Sequence, residues 1–264
     1  MFNELNKLRK NNLNNFYAII IISCFPLFFL FSSLLTNLFT VILIFLFLGE
    51  IKLKPKNILK DKILLLLILF WFFILISLFT SIYFENSILR SVGFLRFIFF
   101  SYALAYYLKL DNFKYFKIII LIWFSIFLIT SIDLFIEHLL GHNLLGNKSY
   151  MPGRLSGFLG YELKIGNYYL GFYFLTLAFS MQFFKNQFLS FFIIIFFSLI
   201  AFLIGERANF IKIILGLLIF LIFYEKIILK YKIIFFGLMI SGAIIFVNLN
   251  DEFNTRYKNQ LYIP

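Results

Sequence analysis

Charge is scarce in this sequence. Of its 264 residues only 14% are Asp, Glu, Lys or Arg, where soluble domains carry about 25%, and 62% are hydrophobic. A chain this poor in charge lacks the polar surface that keeps a globular domain dissolved, so a soluble fold is excluded and lipid is the solvent that fits. Proline is scarce as well, at four residues, and Gly/Ser-rich linkers are missing, which leaves no seam for a separate water-soluble domain. One transmembrane domain over 1–264 is expected. The single cysteine, Cys24, excludes an intrachain disulfide. Walker loop, Rossmann fingerprint and serine-triad motif are absent, as are a repeat of 20–50 residues and an inverted pair of broken helices.

What the sequence has instead is apolar runs bounded by charge. They fall near 16–31, 34–49, 63–82, 88–108, 115–137, 166–184, 188–204, 209–224 and 233–248. The fold class expected is therefore all-α, a polytopic membrane bundle of about nine helices. The first two runs are short for a hydrocarbon core that needs roughly 20 residues, and Pro26 is expected to bend the first, so a hairpin that does not fully cross is the alternative there. Lys7, Arg9 and Lys10 before the first run imitate a signal peptide, but no small-x-small cleavage site follows, which favours a retained helix.

The formal charge of +12 would point to nucleic acid in a soluble protein. Here the basic residues sit in short loops, where they orient helices, and no nucleic-acid partner is expected. With the N-terminus cytoplasmic, the inner side receives fifteen of the 24 basic residues. The arginines are sorted the other way. Of six, only Arg9 is inner, while Arg90, Arg96, Arg154, Arg207 and Arg256 fall at outer loops or outer helix ends. Arginine presents a planar fork that binds phosphate or carboxylate bidentately, whereas lysine suffices to orient a loop. The outer face is where chemistry is expected.

The longest non-apolar segment, 138–165, lies on that outer face. It contains Gly153-Arg154-Leu155-Ser156-Gly157-Phe158, then Gly160-Tyr161-Glu162, and Gly166-Asn167-Tyr168-Tyr169 at the entry of the next helix. Glycines there permit close approach of backbone to a ligand, and amides at a helix N-terminus favour an anion. An ordinary glycine-rich re-entry loop with a snorkelling arginine gives the same spacing. A second segment, Gly205-Glu206-Arg207-Ala208-Asn209, wedges two charges between spans, where charge is costly unless paired or facing a polar cavity. A local Glu206–Arg207 pair is the plainer reading.

Asp133 and Glu137 either line the same cavity or reach headgroups. Tyr150, Tyr161, Tyr168 and Tyr169 either stack on sugar rings or mark the interface. His138 and His142 share a helical face at i, i+4, but Gly141 interrupts it and no third ligand is fixed. No metal and no cofactor are expected.

The GRLSGFLGYELKIGNYYLG and GERANF stretches, about two helices apart in a multi-span chain, resemble the O-antigen ligase and O-antigen polymerase family of bacterial membrane glycosyltransferases. The matching positions are Arg154, Gly157, Gly160, Glu162 and Gly166, then Gly205, Glu206 and Arg207. The resemblance implies a metal-independent enzyme of the inner membrane. It would transfer or polymerise lipid-pyrophosphate-linked O-antigen or polysaccharide units on the periplasmic face. Its implied partners are a polyprenyl-pyrophosphate-linked glycan donor, a glycan or lipid A-core acceptor, and the surrounding lipids. Arg154, Arg207 and Arg256 are expected to bind pyrophosphate, Glu162 to act as catalytic base with Glu206 as its rival, and Gly157, Gly160 and Gly166 to shape the motif.

Members of that family continue into a large periplasmic loop, so the chain reads as incomplete relative to them and is expected to transfer little by itself. The alternative of another class is a secondary transporter or flippase, in which the same arginines bind an anionic or glycolipid substrate without chemistry.

The charge sorting makes a topological prediction. Reporter fusions after residues in 49–62, 109–114 and 225–232 should read cytoplasmic, and a fusion after Lys148 should read periplasmic. A cytoplasmic signal after Lys148 inverts the orientation.

Overall fold

Each apolar run of the sequence is helical over most of its length in the computed structural model, which describes residues 12–53, 62–110, 113–160, 164–183, 187–224 and 229–257. No strand occurs among these residues. Lipid explains the choice, because a spanning segment has no water to satisfy its amides and carbonyls and must bond them within itself. The helices are α1 (Leu13–Phe31), α2 (Ser33–Leu53), α3 (Lys62–Ile76), α4 (Phe84–Leu108), α5 (Phe116–Leu140), α6 (Ile165–Phe183), α7 (Gln187–Leu203), α8 (Arg207–Phe223), α9 (Leu229–Leu249) and α10 (Asp251–Tyr257).

Among the described residues, α1 to α5 and α9 are long and apolar enough to cross a membrane, with α3 extended by a 3-10 turn over Ser77–Thr80. Length and composition thus give six candidate spans among the described residues, where about nine were expected. Helices α7 and α8 hold 17 residues each, short of the roughly 20 a bilayer asks for. Helix α6 is more polar, carrying Asn167, Thr176, Ser180, Gln182 and three tyrosines.

The chain divides into two compact units, Met1–Ile122 and Trp123–Pro264. In the first, α1 and α2 are separate helices packed on one another and joined at Ser32, whose extended backbone stops α1 and whose hydroxyl accepts the Leu34 amide at 3.1 Å. Helix α1 continues through Pro26 to Phe31. The Phe28 and Phe39 rings stack at 3.9 Å between these two helices, and the Trp71 indole donates to the Ser91 carbonyl at 2.9 Å between α3 and α4. Much of the remaining apolar surface is exposed, as at Phe79 and Ile82, which suits contact with lipid tails.

In the second unit, α6 packs against α7 and α8, α7 against α8, and α9 against α10. The buried Phe127 ring on α5 meets Tyr169 and Phe197 at 4.5 and 4.9 Å. Hydroxyls in these helices either return to their own backbone, as Ser131 does to the Phe127 carbonyl at 2.8 Å, or bridge helices. The Tyr169 hydroxyl reaches both Ser131 Oγ and the Phe197 carbonyl at 3.1 Å, and the Tyr173 hydroxyl meets Ser198 Oγ at 2.7 Å.

The Tyr173–Ser198 bond is one of the polar links between α6 and α7, beside that of Tyr169 to the Phe197 carbonyl. Tyr173→Phe is expected to destabilise the purified protein by about 0.6–1.7 kcal/mol in a detergent unfolding titration. No change in the midpoint would show that the bond contributes nothing there.

Candidate functional site

The loop between α5 and α6 owes its shape to two carboxylates at the end of α5. Gly141 closes that helix at φ +74°, donating its amide to the Glu137 carbonyl at 2.8 Å. Beyond it, Asn143 Oδ1 accepts the amides of Leu145 and Asn147 at 3.0 and 2.8 Å, and its Nδ2 donates to the Gly157 carbonyl at 2.6 Å. Asp133 Oδ1 accepts the Leu144 amide at 2.8 Å. Glu137 accepts the Ser156 amide and hydroxyl at 3.0 and 2.9 Å and the Gly157 amide at 2.7 Å. Both acids are buried. Of the two readings offered for them, cavity lining or headgroup contact, Glu137 does line a cavity, but its carboxylate is engaged in holding the loop.

The loop delivers Arg154 to the elbow between α7 and α8. The Leu155 amide bonds the Ile204 carbonyl at 3.2 Å, and Arg154 Nη2 pairs with Glu206 Oε1 at 2.5 Å. Glu206 occupies the N-cap of α8 with extended backbone, yet its side chain makes no capping bond. It turns instead to Arg154 and to Asn209, whose Nδ2 donates to Glu206 Oε2 and lies 3.0 Å from Asn167 Oδ1 on α6. The local Glu206–Arg207 pair expected from their adjacency is thus replaced by a pair 52 residues apart in sequence. Neighbours at i, i+1 on a helix do not face each other.

Two glycines make this geometry possible. A Cβ on Gly166 would collide with the Glu206 carboxylate and crowd the Asn209 amide. A Cβ on Gly205, where φ is +74°, would collide with the Gly153 carbonyl. At Gly166, the close approach that the sequence assigned to a ligand is an approach of the protein to itself. Gly157 and Gly160 serve the loop through positive φ values of +55° and +58°.

Arg256 completes the cluster from α10. Its Nε donates to the Gly205 carbonyl at 3.1 Å, and the neighbouring Tyr257 hydroxyl donates to the Phe202 carbonyl at 3.1 Å. Burial lowers the Arg256 pKa, and the nearby positive charges of Arg154 and Arg207 lower it further. Burial also pushes the Tyr257 phenol up. The three arginines expected at a common site are therefore within electrostatic reach of one another. Arg207 Nη1 is buried without a hydrogen-bond partner among the described residues.

Glu162, the expected catalytic base, lies outside the described residues, as does Tyr161. Tyr168 and Tyr169 are buried, and Tyr169 is fully so, which removes both from the set of residues able to stack on a sugar. Tyr150 is 64% exposed. His138 rests its ring against Phe246 and Phe253, whereas His142 Nδ1 turns to the Asn143 carbonyl. Among the described residues no three His, Cys, Asp or Glu side chains are placed to hold a metal ion.

Sequence reasoning quoted Asn167 and Asn209 within its motifs but gave them no role. Their amides share the Glu206 network, and the two asparagines, each the third residue of its helix, were the available signal. A cavity of about 450 Å³ opens beside Arg154, walled by the loop, the end of α5 and α10. Sequence alone did not show it, because α10 is brought there by the fold. No family model, curated protein or solved structure matches the chain.

Gly166 and Gly171 share α6, but open space surrounds a Cβ at Gly171. Gly166→Ala is expected to destabilise by roughly 1–3 kcal/mol, and Gly171→Ala to be neutral or stabilising by up to about 1 kcal/mol. Unfolding midpoints of the two purified variants check this, and equal shifts would refute the account of Gly166.

Proposed function

We propose that Arg154, Arg207 and Arg256 form the pyrophosphate site of a metal-independent membrane glycosyltransferase. The enzyme would be of the O-antigen polymerase or ligase type, acting on a polyprenyl-pyrophosphate-linked glycan. In this reading the chain crosses the bacterial inner membrane about nine times with a cytoplasmic N-terminus, and the arginines face the periplasm, where the acceptor is a growing glycan or a lipid A-core.

One observation carries the reading. A buried guanidinium nitrogen of Arg207 has no hydrogen-bond partner among the described residues, and two further arginines crowd the same place. An arginine at membrane depth costs roughly 2.5–3.5 kcal/mol on insertion scales, and three in mutual repulsion cost more than one. A doubly charged ligand relieves that repulsion and satisfies the free nitrogen. The first-turn amides of α8, at whose start Arg207 stands, add the positive end of a helix dipole.

The chemistry follows from the ligand. When an acceptor hydroxyl attacks the anomeric carbon, the bond to pyrophosphate breaks and the electron pair leaves with the phosphate. That leaving group is already stable, so what it needs is charge stabilisation in a site with little water. Fixed guanidinium forks supply it. Arg154, held by Glu206, is pre-aimed, and pre-aimed donors cost no reorganisation during the reaction.

Lysine keeps the charge and loses the fork, so it separates recognition from mere attraction. In cells lacking the gene and expressing it intact with Arg154→Lys or Arg207→Lys, glycan transfer is expected to fall about 10²-fold at equal protein level. Binding of farnesyl pyrophosphate to the purified variants should weaken in parallel. Normal transfer by both variants would defeat the assignment and favour the transporter reading.

A further inference from the structure

Resting on that reading, we infer that the cavity beside Arg154 is the acceptor subsite, taking a neutral, hydroxyl-rich saccharide, and that His138 receives the proton of the attacking hydroxyl. The cavity holds about 450 Å³, within the range of small-molecule sites. Its wall differs in kind from the arginine cluster. Ser149, Asn250, Glu252 and His138 offer directional donors and acceptors, and the exposed Tyr150 and the Phe253 edge offer apolar faces. Hydroxyls arrayed around an apolar ring face are what such a wall matches.

Arg154 borders both places. Its fork is held by Glu206 at the elbow, and its side also lines the cavity. Group transfer requires this adjacency, because the hydroxyl oxygen must reach the anomeric carbon while the pyrophosphate is still bound.

His138 is the one imidazole on the wall, and its ring is held in place by Phe246 on α9 and Phe253 on α10. The charged groups about it are Glu252 on α10, Arg154 from the loop, and Glu137 on its own helix. In the step, the hydroxyl oxygen forms the new bond to the anomeric carbon and the carbon–oxygen bond to pyrophosphate breaks with its electron pair. The hydroxyl proton passes to a ring nitrogen of His138. The imidazolium left behind is stabilised by Glu252, and solvent recovers its proton.

The test uses membrane vesicles from cells lacking the gene and expressing it intact, charged with the strain's own lipid-linked glycan. His138→Gln is expected to bind farnesyl pyrophosphate within about twofold of wild type while transfer falls roughly 10²-fold or more. The fall of the wild-type rate at acid pH, where a base becomes protonated, is expected to vanish in what activity remains. Tyr150→Ala, at an exposed position, should raise the acceptor concentration needed for half-maximal transfer and leave donor binding unchanged. Normal transfer by His138→Gln overturns the role of His138. An unchanged acceptor requirement in Tyr150→Ala together with Glu252→Gln overturns the subsite. Loss of the acid limb with Glu162→Gln instead of His138→Gln also overturns the role of His138. Were farnesyl pyrophosphate binding absent from wild type, the arginine site would have failed, a result separate from all of these.

Discussion

The ion pair between Arg154 and Glu206 is the constraint on which the rest of the site depends. A buried carboxylate is tolerable only when its charge is met and its oxygens are bonded, and both conditions are fulfilled by groups that come from elsewhere in the chain. Arg154 arrives on the loop after α5, Asn209 from the first turn of α8, and Asn167 from the entry of α6. Each brings its own element into position. The absence of a side chain at Gly166 is part of the same arrangement, since the carboxylate fills the space that a Cβ would take. Removing Glu206 would take the acceptor from both Arg154 and Asn209 and leave three neighbouring arginines with less negative charge to offset them.

The acids at the end of α5 show a second way of using charge in an apolar setting. Asp133 and Glu137 act as acceptors for backbone amides of a loop whose one regular stretch among the described residues is a 3-10 turn over Gly157–Leu159. In water those amides would be solvated. Near a membrane, the loop borrows its partners from the end of α5, and so gains a fixed shape with little secondary structure of its own.

Much of the helical framework was legible because lipid imposes a coarse code: an apolar run bounded by charge becomes a helix, and α1 to α9 fall on the runs read from the sequence. The arginines stood out for a related reason, since a charge between spans is expensive enough to need explaining. Their partners did not stand out. Glu206 was read beside Arg207, its neighbour in sequence, whereas the pair it makes is with a residue a whole helical hairpin away. Tyr168 and Tyr169 looked like interfacial tyrosines, but on α6 they face α5 and α7, and composition carries no record of facing. The cavity was invisible for the deepest reason, because its walls come from three separate stretches and no local pattern encodes their meeting.

That separation bears on how the protein is made. Leu155 waits for the carbonyl of Ile204, Arg154 for the carboxylate of Glu206, and the carbonyl of Gly205 for the guanidinium of Arg256. Each bond joins segments about fifty residues apart, and two helices emerge from the ribosome between the first partner and the second. Helices can enter the bilayer one after another, but the polar cluster can close only after the last of them has arrived. Until then the bilayer must shelter an arginine without its acid. The interval between insertion and closure lasts until α10, which carries Arg256, has followed α8 and α9.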